Sequence, residues 1–386
     1  MPVIPRRNLS RTLKKALSQP GYALRALQSR ARSYLTYQFR NGYSAHPETI
    51  SLFLTYRCNL RCSMCGQWGE NGIYRRSRPE DELPTQKLLD LLDEVRSFRP
   101  NITLFGGEPF LHRDWSAIVQ RAKHHRLRVN AITNGTLLHR FAAQIVDSQL
   151  DELIISLDGP EPIHDAIRNK PGAFSSILRG IAQINELKAR CGSDRPVINI
   201  TSVLTPQNVG HLKSLAEIAG NTGAKSITFH HLIFINAGQY ENFRAELLSQ
   251  FRTEPTDWRG FVRDGLPDVD VDALLSQISD LTRLKNGVDI SFYPNLPAEE
   301  IRAYYSQWDF RSGAYPYRCL SPWMVAYIFP DGSVRPFHSM NFNAGNIMQQ
   351  SFKQIWNGPG YRSFRSHVKQ RRCFSVCSRC TEFYRY

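Results

Sequence analysis

The sequence lacks several things. No run of 18 or more apolar residues occurs, so nothing in it reads as a membrane span. Its N-terminus shows no apolar h-region and no small-residue cleavage site, so no secretory signal is read. No internal repeat or low-complexity tract is visible. Together these point to the cytoplasm, where thiols stay reduced. The 8 cysteines among 386 residues therefore suggest metal ligation or catalysis rather than disulfides. Acidic residues are absent from residues 1–47, which carry Arg6, Arg7, Arg11, Lys14, Lys15, Arg25, Arg30, Arg32 and Arg40. The net charge is +15, and the stretch from Arg362 to Arg385 is also basic. Such ends suit nucleic acid, an anionic membrane or an acidic substrate, or are simply solvated arms.

One further absence concerns "CNLRCSMCGQW". Cys58, Cys62 and Cys65 fall within eight residues, and no fourth cysteine follows nearby. Thiolates select iron–sulfur clusters, zinc or copper. A structural zinc site wants four ligands. A cubane [4Fe-4S] cluster on three thiolates leaves one iron open to a small ligand. A zinc site completed by a distant histidine stays open as an alternative.

The middle of the chain alternates between two periods. "TISLFLTYRC", "NITLFGG", "LRVNAITNG", "DELIISLDG", "VINITSVLT" and "SITFHHLIF" read as strands. Helical patterns separate them, with Thr85 expected as an N-cap and Asp114 at a helix start. The alternation implies parallel βαβ units, closed as a barrel or open as a doubly wound sheet. Cys58, Cys62 and Cys65, then Gly106-Gly107-Glu108-Pro109, Thr133-Asn134-Gly135 and Ser156-Leu157-Asp158-Gly159 all follow predicted strands. Active sites gather at that edge.

These residues resemble the radical S-adenosylmethionine (SAM) superfamily: Cys58-x-x-x-Cys62-x-x-Cys65 after the first strand, the GGEP of Gly106–Pro109 after the second, and Ser156–Gly159 after the fourth. Met64 departs from the aromatic residue common before the third cysteine. The resemblance implies a partial (β/α)6 TIM-like barrel of α/β class. It implies that Cys58, Cys62 and Cys65 hold a [4Fe-4S] cluster whose fourth iron is chelated by SAM. One electron then yields a 5′-deoxyadenosyl radical, which abstracts hydrogen from a substrate. It assigns Gly106, Gly107, Glu108 and Pro109 to the SAM amino group, and Asn134, Ser156 and Asp158 to the same pocket. Arg168 matches an arginine that meets the SAM carboxylate; a surface ion pair is the plain alternative for it, and a cap or turn for Ser156 and Asp158. An electron donor such as flavodoxin or ferredoxin is implied as well.

Downstream, Cys319 opens an expected hairpin turning at Pro330-Asp331-Gly332, and Cys373, Cys377 and Cys380 close the chain. Four thiolates suffice for one full cluster. The stretch resembles the SPASM/twitch extension that carries auxiliary clusters. Phe337 stands where a further cysteine is expected, so one auxiliary [4Fe-4S] cluster is expected rather than two. A four-cysteine zinc site is the alternative, and His338 is more readily a polar loop residue than a ligand. Cys191 reads as a buried or incidental thiol, and His230, His231 and Tyr293 as structural residues near the site.

The expected organisation is a basic amphipathic extension (1–47), a core (48–240), a less regular connection with one further strand (241–310) and the auxiliary-cluster domain (311–386). The substrate is expected to be a small, sugar or lipid-linked molecule, with a peptide as the alternative. A segment of 47 residues without acids looks too short for a leader-binding domain. Nucleic-acid binding on zinc is the remote reading. Leu9, Leu13 and Leu17, then Leu24, Leu27 and Tyr34, recur at helical spacing among the basic residues. That suggests an arm lying on an anionic membrane at its inner face, or leucines packed on the enzyme's own core.

Overall fold

The computed structural model describes residues 20–74 and 82–386, together with Leu17. Leu9 and Leu13 lie outside them. One nine-stranded sheet organises the chain: β1 (Thr49–Phe53), β2 (Asn101–Phe105), β3 (Arg128–Thr133), β4 (Glu152–Ser156), β5 (Val197–Val203), β6 (Ser226–His230), β7 (Asp289–Tyr293), β8 (Val325–Ile328) and β9 (Val334–Arg335). Their spatial order is β7-β6-β5-β4-β3-β2-β1-β8-β9. Every neighbour pair from β7 to β8 is parallel, and only β8–β9 is antiparallel. This is the α/β architecture expected from the alternating periods.

Period-two patterning explains how the strands sit. Ile198, Ile200, Ile227 and Phe229 are buried beneath helices, while the residues between them are more open. The strand order is linear, with β7 and β9 as edges. Even so, the sheet curls. The Tyr293 hydroxyl on β7 donates to the Thr381 carbonyl at 2.6 Å, and Tyr327 on β8 is hydrogen-bonded to Glu382. One dipeptide thus touches the edge strand β7 and the next-to-last strand β8 at the opposite side of the sheet, which makes it a partial barrel.

Several local expectations are corrected. Thr85 does not cap its helix: Pro84 takes that position, and the Thr85 hydroxyl instead donates to Asp114 at 2.6 Å. Residues 240–300 are more regular than expected, with helices Ala237–Phe251 and Val271–Arg283. The first starts at a capping box, in which Asn236 accepts from the Gln239 amide and Gln239 reaches back. That N-x-x-Q signal was legible in the sequence. This helix runs across position 240. The expected hairpin is present as β8–β9, but β8 pairs in parallel with β1 and so extends the main sheet.

Upstream, the helix Pro20–Phe39 lies against the short helix Ser321–Met324. Arg30 grips Glu48 at 2.6 and 2.8 Å, and the Tyr37 ring meets Trp323 edge-on at 4.9 Å. Tyr34 belongs to this inward side, since Arg318 sits over its ring at 5.0 Å.

Candidate functional site

The parallel strands deliver Cys58, Gly106, Asn134 and Asp158 to one rim. The cysteine loop leaves β1 and is pinned from several sides. The Ser63 amide donates to the Ile167 carbonyl (2.9 Å), and the Trp68 indole donates to the Tyr56 carbonyl (3.0 Å). Cys62 is buried, and Cys58 and Cys65 are half-buried. The Trp68 amide points at the Cys65 sulfur (3.4 Å), the Arg168 guanidinium at that of Cys62 (3.6 Å), and the Asn134 amide lies 4.0 Å from that of Cys58. Burial pushes the Cys58 thiol up to about 12 and raises Cys62 as well. Bare thiolates are therefore costly here, and a cationic metal group on these soft ligands supplies the compensation. The residues fit a cluster held by three sulfurs.

The glycine pair follows from backbone contact. Gly106 has φ +143°, and a Cβ there would lie 2.7 Å from the Thr55 carbonyl oxygen. A Cβ on Gly107 would lie 2.2 Å from that of Arg57. The β2 edge thus presses directly on the segment that leads into Cys58. Glu108 faces inward. Fully buried, it accepts from the Thr133 hydroxyl (2.7 Å), the Asn134 amide (2.8 Å) and the Phe110 amide (3.3 Å). Burial lifts its carboxyl to about 7, against those hydrogen bonds. Its carboxylate locks β2 to β3, leaving backbone groups of Gly106 to Pro109 to face the rim. Asn134 is committed likewise, donating to Asn59 at 2.8 Å and accepting from Thr136 at 2.6 Å.

The surface ion pair considered for Arg168 is not what the structure holds. Arg168 is buried and pairs with the fully buried Asp158 at 2.6 Å. Asp158 also accepts from the Val203 amide at 3.0 Å and the Ser202 hydroxyl at 3.3 Å. It caps no helix; the helix Glu161–Arg168 begins behind Pro160. Ser156 lies in register with Thr201, Thr228 and Ser291 across β4 to β7. Thr228 and Ser291 share a hydrogen bond at 3.0 Å. This hydroxyl row was missed at the sequence level, although the alternation in "NITSV" and "DISFY" carried it. His230 and Tyr293 sit one step further toward the rim, with ring centroids 5.5 Å apart. His231 is structural as expected: buried, 2.9 Å from the Tyr305 hydroxyl, and depressed by burial to about 3.

Cys319, Cys373, Cys377 and Cys380 line one cavity together with Trp258, Phe337 and Glu382. The Phe374 amide points at the Cys377 sulfur (3.3 Å), and Tyr317 hydrogen-bonds Cys373. His338 is not among the lining residues; its Nδ1 lies 2.7 Å from the Ser339 hydroxyl. A tetrahedral zinc at about 2.3 Å from each sulfur would draw the ligands to within about 3.8 Å of one another. Four cysteines around one cavity supply enough thiolates for one cubane. Cys191, expected as buried or incidental, is not buried: it is exposed at a helix end, and its thiol donates to the Leu187 carbonyl at 3.0 Å.

Comparison with known proteins bears directly on these two cysteine groups. Residues 52–218 match the radical SAM superfamily, and residues 319–381 match SPASM, an iron-sulfur cluster-binding domain. An AdoMet-dependent heme synthase of Methanosarcina barkeri is 24% identical over 343 residues, covering 86% of this chain and 88% of the relative. Fe-coproporphyrin III synthase of the same organism is 29% identical over 48% of the chain, which spans only 44% of that relative. Mycofactocin maturase MftC of Mycolicibacterium smegmatis is 32% identical over 49% of the chain and 46% of the relative. Among solved structures, SuiB of Streptococcus suis bound to S-adenosylmethionine superimposes with a TM-score of 0.62 at 13% identity, covering 92% of this chain and 76% of SuiB. Residues 52–218 thus carry a radical SAM domain and residues 319–381 a SPASM domain, and these domains imply a [4Fe-4S] cluster, SAM and an auxiliary iron–sulfur cluster as cofactors.

Proposed function

We propose that the enzyme cleaves SAM at a cluster held by Cys58, Cys62 and Cys65 and abstracts hydrogen from a small molecule lodged along the β4–β7 wall. The observation that carries this reading is the convergence of Arg168–Asp158, Asn134 and the Gly106–Pro109 backbone on one three-cysteine loop. When bound, the reduced cluster would supply one electron to the SAM sulfonium, breaking its C5′–S bond to give methionine and a 5′-deoxyadenosyl radical. The protein's own part is placement. Asn59, Asn134 and Thr136 hold the loop's first half, while Arg168 anchors its centre and balances thiolate charge. The Gly107 and Glu108 amides are taken up by the Thr55 and Arg57 carbonyls (2.8 Å each), so the carbonyls of Gly106 and Gly107 are the groups left to accept from the SAM amino group. Ser156, Thr201, Thr228 and Ser291 offer hydroxyls to a polar substrate.

Cys319, Cys373, Cys377 and Cys380 hold one auxiliary [4Fe-4S] cluster in this reading, and an acidic one-electron carrier such as flavodoxin or ferredoxin supplies reducing equivalents. A small molecule is favoured over a peptide because the heme synthase similarity runs along most of the chain, whereas the MftC similarity covers half.

The decisive experiment follows deuterium from labelled candidate substrates into 5′-deoxyadenosine. In parallel, Cys62→Ala should abolish 5′-deoxyadenosine formation while leaving the circular dichroism spectrum unchanged. Normal 5′-deoxyadenosine yield from that variant refutes the assignment.

A further inference from the structure

We propose that the helix Pro20–Phe39 docks the enzyme on an anionic membrane, lying in the lipid interface along its outer face. The helix has two faces with different tasks. Arg30, Ser33, Tyr34 and Tyr37 turn inward, and Lys369 donates to the Gln38 carbonyl at 3.0 Å. The alternative of leucines packed on the core does not hold for Leu17, Leu24 and Leu27; the contacts with the core come from the tyrosines and Arg30 instead. The leucines point the other way: Leu24 is 59% exposed, Leu27 52%, Leu35 54% and Phe39 80%, with Leu17 upstream at 85%.

Positions 24, 27, 35 and 39 fall along one side of a helix with 3.6 residues per turn, and position 17 has the same spacing in the sequence. Scattered exposed leucines need no explanation, but these are not scattered. Of the nine exposed large hydrophobics among the described residues, five lie on this line. A contiguous apolar stripe marks a contact surface.

Charge selects the occupant. Arg25, Arg32 and Arg40 are exposed along the flank of the stripe. On the neighbouring helix Pro359–Arg371, Arg362 is exposed, as is Arg372 just beyond it, while Arg371 is paired with Glu246 at 3.0 Å. Residues 1–47 hold no acid to oppose them. A second copy laid face to face would bring these arginines together. Leucines rather than base-stacking aromatics argue against nucleic acid. An apolar stripe with basic flanks fits anionic lipid, with leucines at the acyl boundary and arginines at the headgroups. Among the described residues no helix is long and apolar enough to cross a membrane, so the contact is peripheral.

Removing the whole arm is a poor test, because it also removes the Arg30–Glu48 and Tyr37–Trp323 contacts. Surface substitution is cleaner. The full chain should co-sediment with vesicles containing phosphatidylglycerol at low salt, release at high salt, and ignore pure phosphatidylcholine. The variant Leu24→Glu/Leu27→Glu/Leu35→Glu should bind at least about tenfold more weakly, with unchanged melting and unchanged SAM cleavage. SAM cleavage is read in the same preparations, so failure of the docking idea leaves the catalytic reading intact, and the reverse holds too. Equal binding by the variant, equal binding to neutral vesicles, or a wild-type dimer that the variant dissociates would overturn the proposal. Should the variant fail to fold, amide exchange of wild-type residues 20–39 decides: anionic vesicles must protect them, and no protection refutes docking.

Discussion

At the residue scale, two buried charges carry the most testable content. Glu108 titrates near 7 in the folded protein because burial disfavours its carboxylate. An unfolded glutamate titrates near 4.5. The native state therefore keeps a proton that the unfolded chain releases, and folding loses stability as pH rises from about 4.5 to 7. The full effect is about 3 kcal/mol. Glu108→Gln does not titrate, so the stability gap between wild type and variant should narrow across that window in urea melts. A gap independent of pH would place an ordinary carboxylate there. Arg168→Met strands the Asp158 carboxylate in the interior. The expected loss is about 3–5 kcal/mol, and adding Asp158→Asn should restore most of it. A double variant as unstable as the single one would show that the pair is not the source.

Legibility at this scale was uneven. The three cysteines and the GGEP run could be read because metal chemistry and close backbone approach restrict residue choice severely. Arg168 could be found but not understood. Its pairing with Asp158, ten residues away across a turn, depends on where β4 and β5 end. The inward turn of Glu108 was invisible, since its partners Thr133 and Asn134 arrive from another strand.

At the element scale, β1 and β2 act as a mould for the cysteine loop. Gly107→Ala places a methyl against the Arg57 carbonyl, where backbone must give way. The expected result is a protein that folds but loads less iron at its first cluster, read as a lower iron-to-protein ratio and weaker SAM binding. Full loading would mean the loop tolerates displacement. The βα rhythm of strands one to six was plain from hydrophobic period alone. What the pattern hid was β8. Val325–Ile328 reads as half of a hairpin, and nothing local tells that its other edge pairs with β1, because partner choice is a long-range decision. Within the N-terminal helix, leucine spacing was legible, but which face met the protein was not; Tyr34 changed sides for that reason.

At the scale of the whole molecule, the two cysteine groups should separate cleanly in iron content. Cys377→Ala should lower iron by roughly four atoms per chain, while the first cluster still cleaves SAM without substrate. Unchanged iron would mean that the C-terminal cysteines are structural zinc ligands or free thiols.

The dipeptide Thr381-Glu382, which touches β7 through Tyr293 and β8 through Tyr327, has a mechanical meaning. A sheet whose end strands never pair is a sleeve with a slit, and this dipeptide is the button across it. It follows Cys380 immediately, so a metal held by Cys380, as proposed, would also tighten the fastening. Stripping the auxiliary metal should then let the sleeve gape. Solvent and proteases would reach the β7 edge first, and the bore that confines a reactive radical would widen before any atom near SAM had moved.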